Sequence, residues 1–85
     1  MPRAKKAVKW FGRYIVSDPE ICHGSPTFYG TRILVADVLD QVAEGQPWEA
    51  IADEWRGAIK VAAIAEAVRI ATQAFADHAE EYTAA

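Results

Sequence analysis

The sequence predicts a mainly α domain: a short two-stranded β element followed by a three-helix, helix-turn-helix-like body with a long C-terminal helix. Three observations carry this. Aromatic and β-branched residues concentrate at 10–16 and 27–34, between Gly and Pro punctuation. From Val35 onward the apolar spacing becomes that of helices. Gly45 and Gly57 then divide the helical stretch into three.

The elements follow in order. Residues 1–9 read as a flexible basic arm, and residues 10–85 as a single domain. Trp10-Phe11-Gly12-Arg13-Tyr14-Ile15-Val16 favours a short strand. Ser17-Asp18-Pro19-Glu20 is a turn, because Asp18 supplies a side-chain acceptor and Pro19 fixes its own φ. His23-Gly24-Ser25-Pro26 is a second turn. Thr27-Phe28-Tyr29 is extended, Gly30 breaks it, and Thr31-Arg32-Ile33-Leu34 suits a second short strand. The sheet is therefore expected from segments near 13–16 and 31–34. Two strands alone are marginal, so they must pack on the helices or pair across a dimer.

Val35, Val38, Leu39, Val42 and Ala43 fall on one helical face, and Gly45 is a natural stop. Pro47 suits the first position of a second helix, in which Trp48, Ile51, Ala52 and Trp55 repeat the same template. Gly57 ends it. The last helix is expected from about Ala58 to Tyr82. Val61, Ile64, Val68, Ala71, Phe75, His78 and Tyr82 form one apolar stripe, with Ile59, Ala63, Ala67, Ile70 and Ala74 beside it. Such a helix should be buried on most sides. Two short helices cannot cover its ~36 Å. A second copy should cover the remainder, giving a two-fold homodimer. Ile59, Ile64, Val68, Ile70, Phe75 and Tyr82 are the candidate partner or dimer interface, and His78 reads as a partly buried packing residue.

Composition narrows the function classes. The chain has 85 residues, 52% of them hydrophobic, which suits one small domain with a real core. A single cysteine, Cys22, cannot form an internal disulfide and fits a reducing compartment. Neither a secretory signal nor a membrane span is visible, so the expected location is the cytoplasm. The net charge of −3 hides an asymmetry. Arg3, Lys5, Lys6, Lys9 and Arg13 are five of the nine basic residues and precede every acid. Such an arm suits an anion or the acidic body of a neighbouring subunit.

Catalysis finds little support. Cys22 and His23 are adjacent, with Asp18 and Glu20 nearby, but adjacent residues in an extended chain point to opposite sides. A structural zinc needs four ligands, and one Cys with two His cannot supply them. No phosphate-binding Gly loop is present. The chain is expected to be a binding protein without cofactor or metal, and not an enzyme. For nucleic acid, helices at 47–55 and from 58 onward, joined by a Gly-containing turn, have helix-turn-helix proportions. The second helix opens with Ala58-Ile59-Lys60-Val61-Ala62, which offers no Asn, Gln, Ser or Thr to read bases. DNA contact therefore falls to cations: Arg3, Lys5, Lys6, Lys9, Arg13, Arg32, Arg56 and Lys60. Arg32 equally suits a structural salt bridge or a clasp on backbone carbonyls.

The stretch from Ile15 to Val35 carries Asp18-Pro19-Glu20-Ile21, then Gly24-Ser25-Pro26, then Gly30-Thr31-Arg32-Ile33-Leu34-Val35. This joint pattern resembles the prokaryotic family called domain of unknown function 433. Gly45 and Glu49-Ala50-Ile51 look like that family's helix-Gly-helix continuation, so the resemblance spans roughly residues 13–70. Asp18, Pro19, Gly24, Pro26, Gly30, Thr31 and Arg32 are its motif positions. The resemblance implies a homeodomain-like or winged-helix-like fold. It also implies the antitoxin of a bacterial toxin–antitoxin pair, neutralising a PIN-like ribonuclease and binding its own promoter. The alternative is a DNA-binding regulator or adaptor with no toxin partner. The chain departs from the family pattern at the last helix: Trp55-Arg56-Gly57-Ala58 replaces a Tyr-Pro entry with a Ser or Thr cap.

Overall fold

The structure, a computed structural model, describes residues 7–82. It has three α-helices and a three-stranded antiparallel sheet. The expectation of a mainly α chain with a small β element holds, but there are three strands and not two. They are β1 (Lys9–Trp10), β2 (Ile15–Ser17) and β3 (Thr27–Phe28), in spatial order β1-β2-β3. Trp10 lies opposite Val16, and Val16 opposite Thr27.

The run 10–16 is thus not one strand. It folds back on itself at residues 11–14, where Phe11 N–H donates to the Ile15 carbonyl at 2.9 Å. Lys9, assigned to a mobile arm by sequence, is the first residue of the edge strand. Residues 31–34 do not form a strand either. Leu34 makes one bridge to Thr27 and is already the N-cap of the next helix. Thr31 holds this segment in a turn instead: its Oγ1 donates to the Phe28 carbonyl at 2.7 Å and accepts Ile33 N–H at 3.0 Å.

The helices are α1 (Val35–Ala43), α2 (Trp48–Glu54) and α3 (Val61–Asp77). α1 ends in a Schellman motif: Gln46 N–H reaches Gln41 C=O at 3.2 Å, Gly45 N–H reaches Val42 C=O at 3.0 Å, and Gly45 has φ +87°. α2 ends in the same bond pattern, but its C′ residue is Arg56 (φ +56°), one position before the expected Gly57, which also has positive φ (+77°). Pro47 is the N-cap of α2 rather than its first turn. α3 begins at Val61, not Ala58. Ala58 and Ile59 run in as connecting chain, and Lys60 caps the helix without a side-chain hydrogen bond. α3 stops at Asp77 because His78 leaves helical geometry, and a short 3₁₀ turn covers Ala79–Tyr82.

The core joins all four layers of the chain. Ile15 and Phe28 from the sheet meet Val35 and Val38 of α1, Ile51 of α2, Ile59 of the α2–α3 connection, and Ala63, Ile64 and Ala67 of α3. Ile59 and Ile64 are 2% and 0% exposed within a single chain. They are core residues and are removed from the candidate interface. A polar cluster ties α1 to α2: Trp55 Nε1 donates to Gln41 Oε1 at 2.8 Å, and Gln41 Nε2 donates to Glu54 Oε2 at 2.8 Å. Among the described residues no helix is long and apolar enough to cross a membrane.

α3 departs most from expectation. Its buried residues are Ala63, Ile64 and Ala67 only, all in its first half. Beyond Ile70 every described residue is exposed. His78 is exposed as well and pairs with Glu81, so it is not a packing histidine.

Candidate functional site

Three surfaces gather the residues singled out by sequence. The first lies between the β1–β2 hairpin and the start of α3. Here Glu66, one and a half turns into α3, reaches back to the hairpin tip. Its carboxylate accepts Arg13 N–H at 2.9 Å and Tyr14 N–H at 2.7 Å. Two successive backbone donors on one carboxylate are strong, charge-assisted bonds. They require close approach, and Gly12 permits it: a Cβ there would sit 2.6 Å from the Glu66 carboxyl carbon. Locked this way, the hairpin and α3 enclose a cleft of about 120 Å³ lined by Arg13, Tyr14, Tyr29 and Lys60. Arg13 also lies over the Tyr14 ring at 5.6 Å.

This cleft joins two predicted cations 47 positions apart, Arg13 and Lys60. The first turn of α3 behind it carries no acid and no side-chain cap, so its free N–H groups face solvent with a positive dipole end. Lys9 and Arg56 are exposed, on the edge strand and in the α2–α3 turn. Arg3, Lys5 and Lys6 lie outside the described residues. Sequence reasoning missed Glu66 and Gly12. Glu66 falls outside both apolar stripes of the last helix, and nothing in its spacing marks a partner more than fifty residues away.

The second surface is the motif loop between β2 and α1. Nearly every motif position has a structural duty. Asp18 Oδ1 accepts Glu20 N–H at 2.9 Å, closing the turn around Pro19. The Ser17 hydroxyl donates to the Gly24 carbonyl. The Pro26 carbonyl accepts Val35 N–H at 3.0 Å and so fixes where α1 starts. Gly30 has φ +82°, and Thr31 staples the turn after it. Arg32 differs: its side chain is exposed and makes no hydrogen bond or ion pair among the described residues. The expected clasp is absent there. Cys22 and His23 both have positive φ (51° and 57°). Cys22 Sγ is 3.6 Å from the Arg32 carbonyl, and no group of residues suited to a metal ion occurs among the described residues.

The third surface is the exposed face of α3. Phe11, Leu39, Ile70 and Ala71 line an apolar cleft of about 130 Å³ with scarcely a polar atom in it. Further along, Phe75 (58% exposed) rests against Tyr82 (60% exposed), their rings 5.5 Å apart. Asp77, Glu80 and Glu81 lie between them in sequence; Asp77 accepts a hydrogen bond from Gln73 Nε2 at 2.9 Å and Glu81 pairs with His78. Val68 and Ile70 are half-buried. Of the predicted interface residues, Val68, Ile70, Phe75 and Tyr82 remain available to a partner.

No curated protein and no solved structure matches the chain. The family model described as "Protein of unknown function (DUF433)" matches residues 15–71, which takes in β2, β3, the motif loop, α1, α2 and the first half of α3, and the chain belongs to that family.

Proposed function

We propose that this chain is an antitoxin: a cytoplasmic binding protein, not an enzyme, that neutralises a PIN-like ribonuclease encoded in its own operon. The observation that carries this reading is the second half of α3. Phe75 near the end of α3 and Tyr82 in the following 3₁₀ turn leave two aromatic rings exposed, and an apolar cleft lies at Ile70 and Ala71 of the same helix; monomers rarely leave such surfaces uncovered. Aromatic anchors in a stretch of chain that carries Asp77, Glu80 and Glu81 suit a basic groove such as a ribonuclease needs for its substrate. In this reading the cleft at Phe11, Leu39 and Ile70 takes a second copy, and the Phe75–Tyr82 end takes the toxin. Calorimetry with the purified ribonuclease tests it. Phe75→Ala and Tyr82→Ala should each weaken binding by about tenfold or more, as truncated aromatic anchors do. Unchanged affinity in both variants would sink the proposal.

A second reading, DNA binding at the operator, is favoured by the cleft that Arg13 and Lys60 share at the uncapped start of α3. In it the body is winged-helix-like, with the β1–β2 hairpin as the wing. Arg56, held in a left-handed conformation that Gly would adopt more easily, supports a role beyond folding. Fluorescence anisotropy over a salt series tests this: Arg13→Ala and Lys60→Ala should each lower the salt slope by about one.

A further inference from the structure

The outer face of the sheet, turned away from the core, carries a third cleft, which shares Tyr29 with the first and takes Asp18, Gly30 and Thr31 from the motif loop. Val16 and Thr27 form its floor. Both are buried (3% and 1% exposed), yet neither belongs to the main core cluster. Trp10 and Tyr29 stand at its rim, 54% and 65% exposed, with ring centroids 4.8 Å apart and planes tilted by 39°. Asp18 and Ile21 close the other side, and the enclosed volume is about 330 Å³.

Two features make this more than an apolar dent. The Thr27 hydroxyl is buried in its floor without a hydrogen-bond partner among the described residues. A buried hydroxyl left unpaired costs free energy that a bound ligand would recover. The groove's charge is also one-sided: among the described residues its lining includes Asp18 and no Lys, Arg or His. One Asp18 oxygen accepts Glu20 N–H, and the residue has no ion pair among the described residues. The groove therefore offers acceptors and aromatic faces.

We propose that this groove is a recognition pocket for an arginine side chain of a partner protein. A guanidinium group is all donor, stacks flat on aromatic rings and is less tightly hydrated than an ammonium group. Its methylene stem would cover Val16 and Ile21, its plane would lie along Trp10 or Tyr29, and its N–H groups would meet Asp18 and the Thr27 hydroxyl. The chain already makes the same kind of contact once, with Arg13 over Tyr14. The proposal rests on neither the antitoxin reading nor the DNA reading.

The test is an NMR titration of the full chain with N-acetyl-arginine amide, using N-acetyl-citrulline amide as the uncharged control of the same shape. The Trp10 indole, Tyr29 and Thr27 signals should shift and saturate with the arginine probe. The citrulline probe should bind about threefold or more weaker, as loss of the cation–π and carboxylate contacts requires. Asp18→Asn keeps the acceptor for Glu20 N–H and should reduce that difference to the part carried by the aromatic rings. Thr27→Val, which replaces the hydroxyl by a methyl group, should weaken the arginine probe without lowering the melting temperature. No saturable shift, equal binding of the two probes, or a melting temperature lowered by Thr27→Val would each overturn the proposal. So would a groove whose signals ignore the probe but change when residues 1–6 are deleted, since the occupant would then be this chain's own N-terminus.

Discussion

At Glu66 a single carboxylate joins parts of the chain that lie more than fifty residues apart, and the contact depends on Gly12 having no side chain. Ile15 anchors the hairpin in the core beside α3, and this bond pair fixes the backbone of Arg13 and Tyr14 at its tip. Glu66→Ala removes two charge-assisted bonds and is expected to destabilise the fold by about 1–3 kcal/mol. Gly12→Ala is expected to act in the same direction, because the new methyl group displaces the carboxylate. Urea unfolding of both variants checks this, and an additive double variant would show that the two residues do not act through one contact. The left-handed residues make a second, opposed pair. Gly30→Val places a β-branched residue at φ +82° and is expected to lower stability by more than 1 kcal/mol or so, although nothing lies within 4 Å to clash with it. Arg56→Gly is expected to raise stability by about 1 kcal/mol, since it relieves the left-handed strain at the end of α2. Thermal melts of both variants read these signs.

The elements differ in how far their own residues announce them. α1 was legible in full, because its apolar spacing, its Gly45 stop and its bounds are all local. The motif loop was legible as a chain of turns for the same reason. Three things were not. The hairpin tip inside 10–16 depends on Glu66, far along the chain. The 31–34 segment has strand-like residues, but the Thr31 hydroxyl bonds it into a turn first. Before α3, Ile59 is 2% exposed in a bend and Lys60 is extended, and apolar spacing alone cannot distinguish a buried residue there from one in a helical turn. The cleft at Arg13 and Lys60 was legible only as a roll of separate cations; the structure brings those two together and leaves Lys9, Arg32 and Arg56 elsewhere. The α1–α2 junction was equally hidden, since Gln41 lies outside the apolar face of α1. Its amide serves Trp55 and Glu54 together. Gln41→Ala is expected to cost about 1–2 kcal/mol through the lost pair of bonds and the unpaired Trp55 indole N–H. A variant as stable as the parent in guanidinium unfolding would remove that cluster from the account.

For the whole molecule, the core closes around the first half of α3 and leaves the second half uncovered. Charge follows the same division. Arg13 and Lys60 meet at the hairpin and the start of α3, while Phe75, Tyr82 and three acids lie at its far end. A small domain with a thin core is well placed to gain stability from a second copy. In the antitoxin account Ile70→Asp, which puts a charge in the apolar cleft, should convert a dimer to a monomer in light scattering at micromolar concentration. An unchanged mass would remove the dimer from the account.

The central claim is that the far end of α3 neutralises a ribonuclease. The most direct measurement is the RNA-cleaving activity of the ribonuclease from the same operon, titrated with this protein and with its Phe75→Ala, Tyr82→Ala double variant. The account expects activity to fall to zero at a fixed stoichiometry with the parent chain and to persist with the variant. Full activity at excess parent chain, or equal inhibition by the folded variant, would contradict it.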